Sequence, residues 1–292
     1  MMSTIPYHTD LLALQTLQWQ EVKLIYEVGR SGELPSMKGS AWRGMFGHIL
    51  KDYAPDLYNQ IFECKVPADH PMARRYAQAP NPYVVFVPSR RRTFERGERF
   101  QVRLTLIGKA VEALPRLILL LQDMGGMGMG KDELPLSLIS VLPEASEPME
   151  MPQEETFDAR ILFDSPIQLK FKSKPGQGHP LPFSVLAHRL AERCHLLAHF
   201  HGEAPFQDRF EEIKERASQV VMVRSSIRPM TQARFSRRTE RKTHMKGWVG
   251  HVDYAGIPSA LFPLLYLGAH LHLGKGTTWG MGKLGYLLGF EG

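Results

Sequence analysis

The chain has 292 residues, 36 Lys and Arg against 30 Asp and Glu, a formal net charge of +6 and 43% hydrophobic residues. This excludes wholesale disorder and predicts two domains or one large one. Its two cysteines, Cys64 and Cys194, cannot build a disulfide framework or a four-cysteine zinc site. The opening residues MMSTIPYHTD lack a signal peptide's basic and apolar regions, and no run reaches the roughly 18 apolar residues of a membrane span. A cytoplasmic protein is expected.

In chain order, residues 17–28 alternate β-prone side chains and predict a strand. Residues 40–53 predict a helix, because Trp42, Met45, Phe46, Ile49, Leu50 and Tyr53 recur at the spacing of one face behind Ser40 as N-cap. Residues 83–88 and 99–107 predict strands around the basic turn SRRRTFERGE, and 110–124 a helix. The glycine-rich stretch 125–131 leads to a strand over 136–142. This order, β-α-β-β-α-β, is that of a ferredoxin-like domain. Residues 143–157, rich in Pro and Glu, predict a linker.

The second half predicts a strand pair or one long strand over 160–171, a helix over 183–200, strands over 220–228 and 248–254, a helix over 259–267 and a last strand over 284–289. Each half closes with an apolar helix, a glycine-rich turn containing GMGK and a strand, which argues for duplication. The expected fold is α+β, with two tandem ferredoxin-like (RRM-like) domains at 1–145 and 158–292 joined by 146–157.

The charge is localised. From Arg224 to Lys246 lie Arg228, Arg234, Arg237, Arg238, Arg241 and Lys242, with Glu240 as the one acid. A second cluster holds Arg90, Arg91, Arg92, Arg96, Arg99 and Arg103 against Glu95 and Glu98. A solvated surface is the ordinary fate of such runs, but two arginine clusters, one per expected domain, favour a polyanionic partner. The guanidinium fork suits phosphate. GKGTTWGMG carries Gly274, Gly276, Gly280 and Gly282 in neither a P-loop nor a dinucleotide pattern. It could be a phosphate-binding nest of N–H groups or a tight helix–strand connection.

LHLGKGTTWGMGKLGY resembles the C-terminal glycine-rich signature of the CRISPR-associated endoribonucleases that process precursor crRNA, within the RAMP superfamily. GSAWRGMFGHILK resembles the early RG-x-FG motif of one branch, and NPYVVFVP, VRLTLIG and KGWVGHVDYAG resemble its following strands in order. The signature is compressed here, with three residues between Gly276 and Gly280. Of the cysteines that often follow the first helix in that branch, only Cys64 is present. The resemblance implies two tandem ferredoxin-like domains and metal-independent cleavage by 2′-hydroxyl attack, leaving a 2′,3′-cyclic phosphate and a 5′-hydroxyl. It also implies a catalytic histidine near the first helix, sometimes with Tyr or Lys.

Histidine suits acid–base work near neutrality. Among the 12 histidines, His48 is the first choice, off the apolar helix face in a stripe with Gly44, Gly47 and Lys51. Lys51 would stabilise the phosphorane, and Tyr26 is a third catalytic candidate. Expected RNA contacts are Arg43, Arg224, Arg234, Arg237, Arg238, Arg241, Lys242, His244, Lys246, His272, Gly274, Lys275, Gly276, Gly280 and Gly282. His195, His199 and His201 read as helix-surface residues, and Phe235 and Trp279 either stack on a base or pack in the core. No metal or other cofactor is expected. The expected partners are precursor crRNA and other CRISPR effector subunits, without a membrane, for a monomer or homodimer. The alternative is a catalytically inert RAMP subunit that binds crRNA. A general RNA-binding protein is weakened by the lack of RNP motifs.

Overall fold

The computed structural model describes residues 17–145, 148–169, 181–202, 210–236 and 241–290. The first half runs β1 (Trp19–Val28), β2 (Gly32–Glu33), α1 (Lys38–Tyr53), β3 (Tyr83–Phe86), β4 (Thr93–Phe94), β5 (Arg99–Ile107), α2 (Leu114–Met124) and β6 (Leu136–Glu144). β3, β5, β1 and β6 form one antiparallel sheet in that order. With the small β2–β4 ribbon set aside, this is the ferredoxin-like order.

Alternation along β1 builds the first core. Val22, Leu24, Tyr26 and Val28 are buried and face Trp42, Phe46, Ile49 and Leu50 of α1 and Leu117 and Leu121 of α2. Each fully buried side chain of this size contributes about 1.5–3 kcal/mol. α2 begins at Leu114, after a 3-10 turn over Gly108–Ala113, rather than at 110. Pro115 explains the shift: it lacks the N–H that an earlier helical turn would need, and is tolerated only in the first turn. α5 of the second half starts the same way, with Pro263 after a 3-10 turn over Ser259–Leu261.

The second half runs β7 (Thr156–Ile167), α3 (Phe183–His201), α4 (Phe210–Ser218), β8 (Val221–Ser225), β9 (Arg228–Ser236), β10 (Arg241–Pro258), α5 (Phe262–Leu271) and β11 (Leu284–Leu288). The sheet order is β11-β7-β10-β8, the ferredoxin-like order again, with β9 also on β10. β7 begins at Thr156, inside the stretch expected as linker. β10 is 18 residues long. Its C-terminal part lies between β7 and β8, while Arg241–Val249 pair with β9 as a two-stranded arm. The ladder changes partner at Gly250, where φ is +123° and a Cβ would lie 2.3 Å from the Ser226 carbonyl oxygen.

The halves interlock. Leu17 and Ile107 join the second core, formed by Ile161 and Phe163 of β7, Leu186 and Leu190 of α3 and Leu264 and Leu265 of α5. His201 Nε2 lies 2.6 Å from the Pro80 carbonyl oxygen. Gly108, at φ +57°, has no room for a side chain, since a Cβ would sit 1.9 Å from the His201 carbonyl oxygen. Among the described residues no helix is long and apolar enough to cross a membrane.

Candidate nucleic-acid interface

α1 carries two different surfaces. Its solvent side presents Gly44, His48, Lys51 and Asp52. His48 Nε2 lies 3.5 Å from Asp52 Oδ2 one turn on, with 64% of the His48 side chain exposed. Nothing lies within 4 Å of a Cβ built on Gly44. The structure thus brings His48, Lys51 and Gly44 together on one open face. Gly47 leaves that stripe: it is buried, and a Cβ there would meet the Phe62 ring at 2.4 Å.

Tyr26 is displaced from the catalytic set. It is fully buried, and its hydroxyl accepts a hydrogen bond from Trp42 Nε1 at 3.2 Å. Burial raises its pKa, so the phenol is a neutral part of the core, out of reach of a dissolved substrate.

The first turn of α1 meets the second half of the chain. A Cβ on Gly39 would stand 2.6 Å from the Trp279 carbonyl oxygen, so only glycine permits this approach. Arg234 of β9 donates from Nε to Ser40 Oγ at 2.8 Å. Its guanidinium lies 4.3 Å from the Trp279 ring centroid. Arg43 of α1 approaches the same indole at 5.8 Å and covers Phe62 at 4.0 Å. Burial and then the charge of Arg43 lower the Arg234 pKa, with no carboxylate among the described residues to offset them. Among the described residues, Arg43 Nε and Trp279 Nε1 are buried without a hydrogen-bond partner. Lys38, also buried on α1, donates from Nζ to the Ser89 carbonyl at 3.1 Å. Burial and then Arg92 lower its pKa to about 8. Neither the lysine nor the role of Trp279 was legible in the sequence.

The glycine-rich turn is a connection rather than an open nest. Gly274, Gly276, Gly280 and Gly282 all have positive φ. The N–H groups of Lys275, Trp279, Gly280, Met281 and Gly282 already donate to carbonyls of Gln168, Gly276, Thr277, Gly276 and Pro166. His272, expected to touch RNA, is buried with Nδ1 3.0 Å from the Met281 carbonyl oxygen. Burial and then Lys283 hold its pKa well below 6.5, so the ring is a neutral brace within the turn. Arg193 of α3 completes the brace, donating to the Leu271 and His272 carbonyls and to Thr277 Oγ1. It thereby satisfies carbonyls at the C-terminal end of α5. Lys275 alone of this group is exposed.

On the β8–β10 segment, Arg224, Arg228, His244 and Lys246 are exposed. Arg224 lies near Asp253, whose carboxyl pKa is lowered first by Arg160, its bidentate partner at 2.7 and 2.9 Å. Arg241 and Lys242 lie on β10, and Phe235 on β9. Arg237 and Arg238 lie outside the described residues. The other arginine cluster is largely neutralised at home: Arg91 pairs with Glu98, Arg92 with Glu33, Arg99 with Glu27 and Arg103 with Glu21. It is therefore the weaker polyanion surface, despite its count of arginines.

The α3 histidines form an inter-half contact instead of a bare helix surface. His199 packs against His70 and His195, with ring centroids 5.4 and 6.0 Å apart. Cys64 and Cys194 are buried free thiols, each pushed up to about 12 mainly by burial. Among the described residues no group of three or more His, Cys, Asp or Glu could hold a metal ion.

Two antiparallel ferredoxin-like sheets in tandem, with a glycine turn of the second domain set against the first helix of the first, define a mixed α/β protein of tandem ferredoxin-like domains. Residues 161–284 match the family model of the CRISPR-associated endoribonuclease Cas6. Residues 17–161 match the N-terminal domain model AF_1859_N. The match to the Cas6 endoribonuclease family of CRISPR RNA processing thus covers the second half of the chain. A search of curated protein sequences returns no match. The fold is similar to that of a Cas6 product complex (TTHB231, from Thermus thermophilus), with a TM-score of 0.59, 19% identity and coverage of 92% of this chain and 99% of that one. A second Cas6 product complex (TTHA0078) gives a TM-score of 0.54 and 21% identity over 91% of this chain and 98% of that one. A partial Cas6-RT-Cas1–Cas2 complex gives 0.61 and 13% identity over 94% of this chain and 47% of its own.

Proposed function

We propose that this chain cuts CRISPR repeat RNA within precursor crRNA, by metal-independent attack of a ribose 2′-oxygen on the adjacent phosphorus. The 2′-O–P bond forms and the P–O5′ bond breaks. One proton leaves the 2′-hydroxyl for a base and another reaches the departing 5′-oxygen from an acid. The products are a 2′,3′-cyclic phosphate and a 5′-hydroxyl. The observation that carries this reading is the open face of α1. An exposed imidazole and an exposed ammonium stand beside a glycine with nothing over it, on a chain whose second half matches the Cas6 family. His48 serves as the acid or base, with Asp52 3.5 Å from its Nε2, and Lys51 stabilises the phosphorane charge.

Arg224 of β8 and Arg228, His244 and Lys246 of the β-arm, with Arg237, Arg238, Arg241, Lys242 and Lys275, hold the RNA backbone. Precursor crRNA is the partner, and other CRISPR subunits are further ones. The N-terminal and C-terminal domains are 1–145 and 158–292.

Labelled repeat RNA incubated with the protein in EDTA tests the proposal. Cleavage is expected, and its abolition by one 2′-deoxy residue at the cut site is the signature of this chemistry. Absence of any cleavage would instead identify an inert crRNA-binding subunit. Cleavage that survives the 2′-deoxy substitution would overturn the mechanism.

A further inference from the structure

Trp279 is the natural candidate for stacking on a base, since it is an aromatic in a glycine-rich turn. Its surroundings assign it a different task. Arg234 lies over the ring at 4.3 Å, and Arg43 approaches at 5.8 Å, so cations hold the position a base would take. The two guanidiniums come from different domains, Arg43 from α1 and Arg234 from the β-arm.

Like charges repel, and burial and then the charge of Arg43 lower the Arg234 pKa, with no compensating carboxylate among the described residues. Among the described residues, Arg43 Nε and Trp279 Nε1 are buried donors without a hydrogen-bond partner, the Arg43 side chain otherwise lying against the Tyr83 hydroxyl. A buried donor without an acceptor is destabilising until a ligand supplies one. A like-charged pair with unused donors is the inverse image of an anion. The indole face partly offsets the repulsion through cation–π attraction, and Ser40 fixes Arg234 through its Nε at 2.8 Å.

We infer that Arg43, Trp279 and Arg234 form a composite phosphate clamp, in which the indole is a holder for two guanidiniums and one backbone phosphate of the bound RNA completes the site. The inference rests on the RNA-binding part of the proposed function, but not on cleavage. It accounts for the glycine at position 39, because a side chain there would push Trp279 away from α1. It also makes the site conditional on assembly: one cation belongs to each domain, and the ring that aligns them lies at the seam. The ligand class is a phosphodiester, recognised by charge and fork geometry without reference to the base.

The test uses repeat RNA from the chain's own array, made uncleavable by a 2′-deoxy residue at the cut site and scanned with single methylphosphonate linkages that remove one charge each. Wild type should show one linkage at which neutralisation weakens binding about ten-fold or more, the effect of a lost charge-assisted contact. In Arg43→Ala/Arg234→Ala that linkage should become no more sensitive than its neighbours. Trp279→Leu, which keeps both arginines, should blunt the same linkage. Arg234→Lys, which keeps the charge and is the mildest change to the fold, should blunt it too. Equal losses at that linkage in wild type and the double variant, or no sensitive linkage in wild type, would overturn the clamp. Full sensitivity in Trp279→Leu would overturn the holder role. All readouts are of binding, so a protein that binds but never cuts RNA would sink the enzyme proposal and leave the clamp standing.

Discussion

Replacing Gly44 or Gly47 by alanine makes the same chemical change three residues apart on α1, and the structure assigns the two opposite signs. In a helix interior glycine costs about 0.8–1.0 kcal/mol relative to alanine, because its unfolded chain has more freedom to lose. At Gly44 the new methyl meets nothing within 4 Å, so the full gain of about 1 kcal/mol should appear, raising Tm by about 2–4 °C. At Gly47 the same gain is opposed by the Phe62 ring, with carbons at 2.4, 2.7 and 3.0 Å from the new Cβ. That ring cannot swing away freely. It stacks on Tyr58 at 5.1 Å and Tyr83 at 6.2 Å, and Arg43 lies over it at 4.0 Å. Overpacking of this kind costs about 1–3 kcal/mol, for a net loss of up to about 2 kcal/mol.

Urea denaturation of the two variants beside wild type measures both effects. A Gly47→Ala protein as stable as Gly44→Ala would refute the packing assigned to Phe62. Cleavage assays on the same samples add a second readout. Gly44→Ala should fold better yet cut RNA more slowly, because its methyl projects into the path proposed for the strand beside His48.

Other changes separate chemistry from scaffold. His48→Ala should lower the single-turnover rate by about 100-fold or more with unchanged RNA affinity, and a full rate would remove it from the mechanism. Tyr26→Phe should leave the rate intact and cost about 1–3 kcal/mol, since Trp42 Nε1 loses its buried acceptor; a rate collapse in folded protein would return Tyr26 to the active site. Burial and then Lys283 push His270 down to about 4 from 6.5. As pH falls the unfolded chain protonates this group first, so its contribution is complete above pH 6.5 and is lost between 6.5 and about 4, roughly 3 kcal/mol in all. His270→Asn should flatten the pH dependence of the urea midpoint across that window, and an unchanged curve would contradict the assignment. Arg228→Ala and Lys246→Ala should each reduce the salt slope of RNA binding by about 0.7 without altering Tm. An unchanged slope would make those charges ordinary surface.

Elements whose residues state their own burial were readable in advance. The alternation in β1 and the apolar face of α1 placed both within two residues of their observed limits. α4 escaped because only Ile213 and Ala217 of its nine residues are buried, too few for a periodic signal. The partner change in β10 escaped because a single glycine, Gly250, marks it. His48 could be placed on an open face from helical spacing alone. The same spacing could not show that Gly47 faces Phe62, a residue outside the helix. Tyr26 and His272 failed as site residues for a related reason: a polar atom on a side chain does not reveal whether its partner is solvent or a buried Trp42 or Met281. The clamp residues lie in three separate segments, and only tertiary structure brings Arg43, Arg234 and Trp279 within one ring's width.

The long β10 strand carries a mechanical consequence. A two-stranded ribbon on its own is marginal in water, and one built to grip RNA would have to be ordered at the moment of binding. Here the arm is the continuation of a strand anchored between β7 and β8, so its stiffness is borrowed from the core of the second domain. Much of the entropic cost of presenting those cations is met when the domain folds. Weakening the core beneath β10 should therefore loosen the grip on RNA at a distance, with every basic side chain still in place.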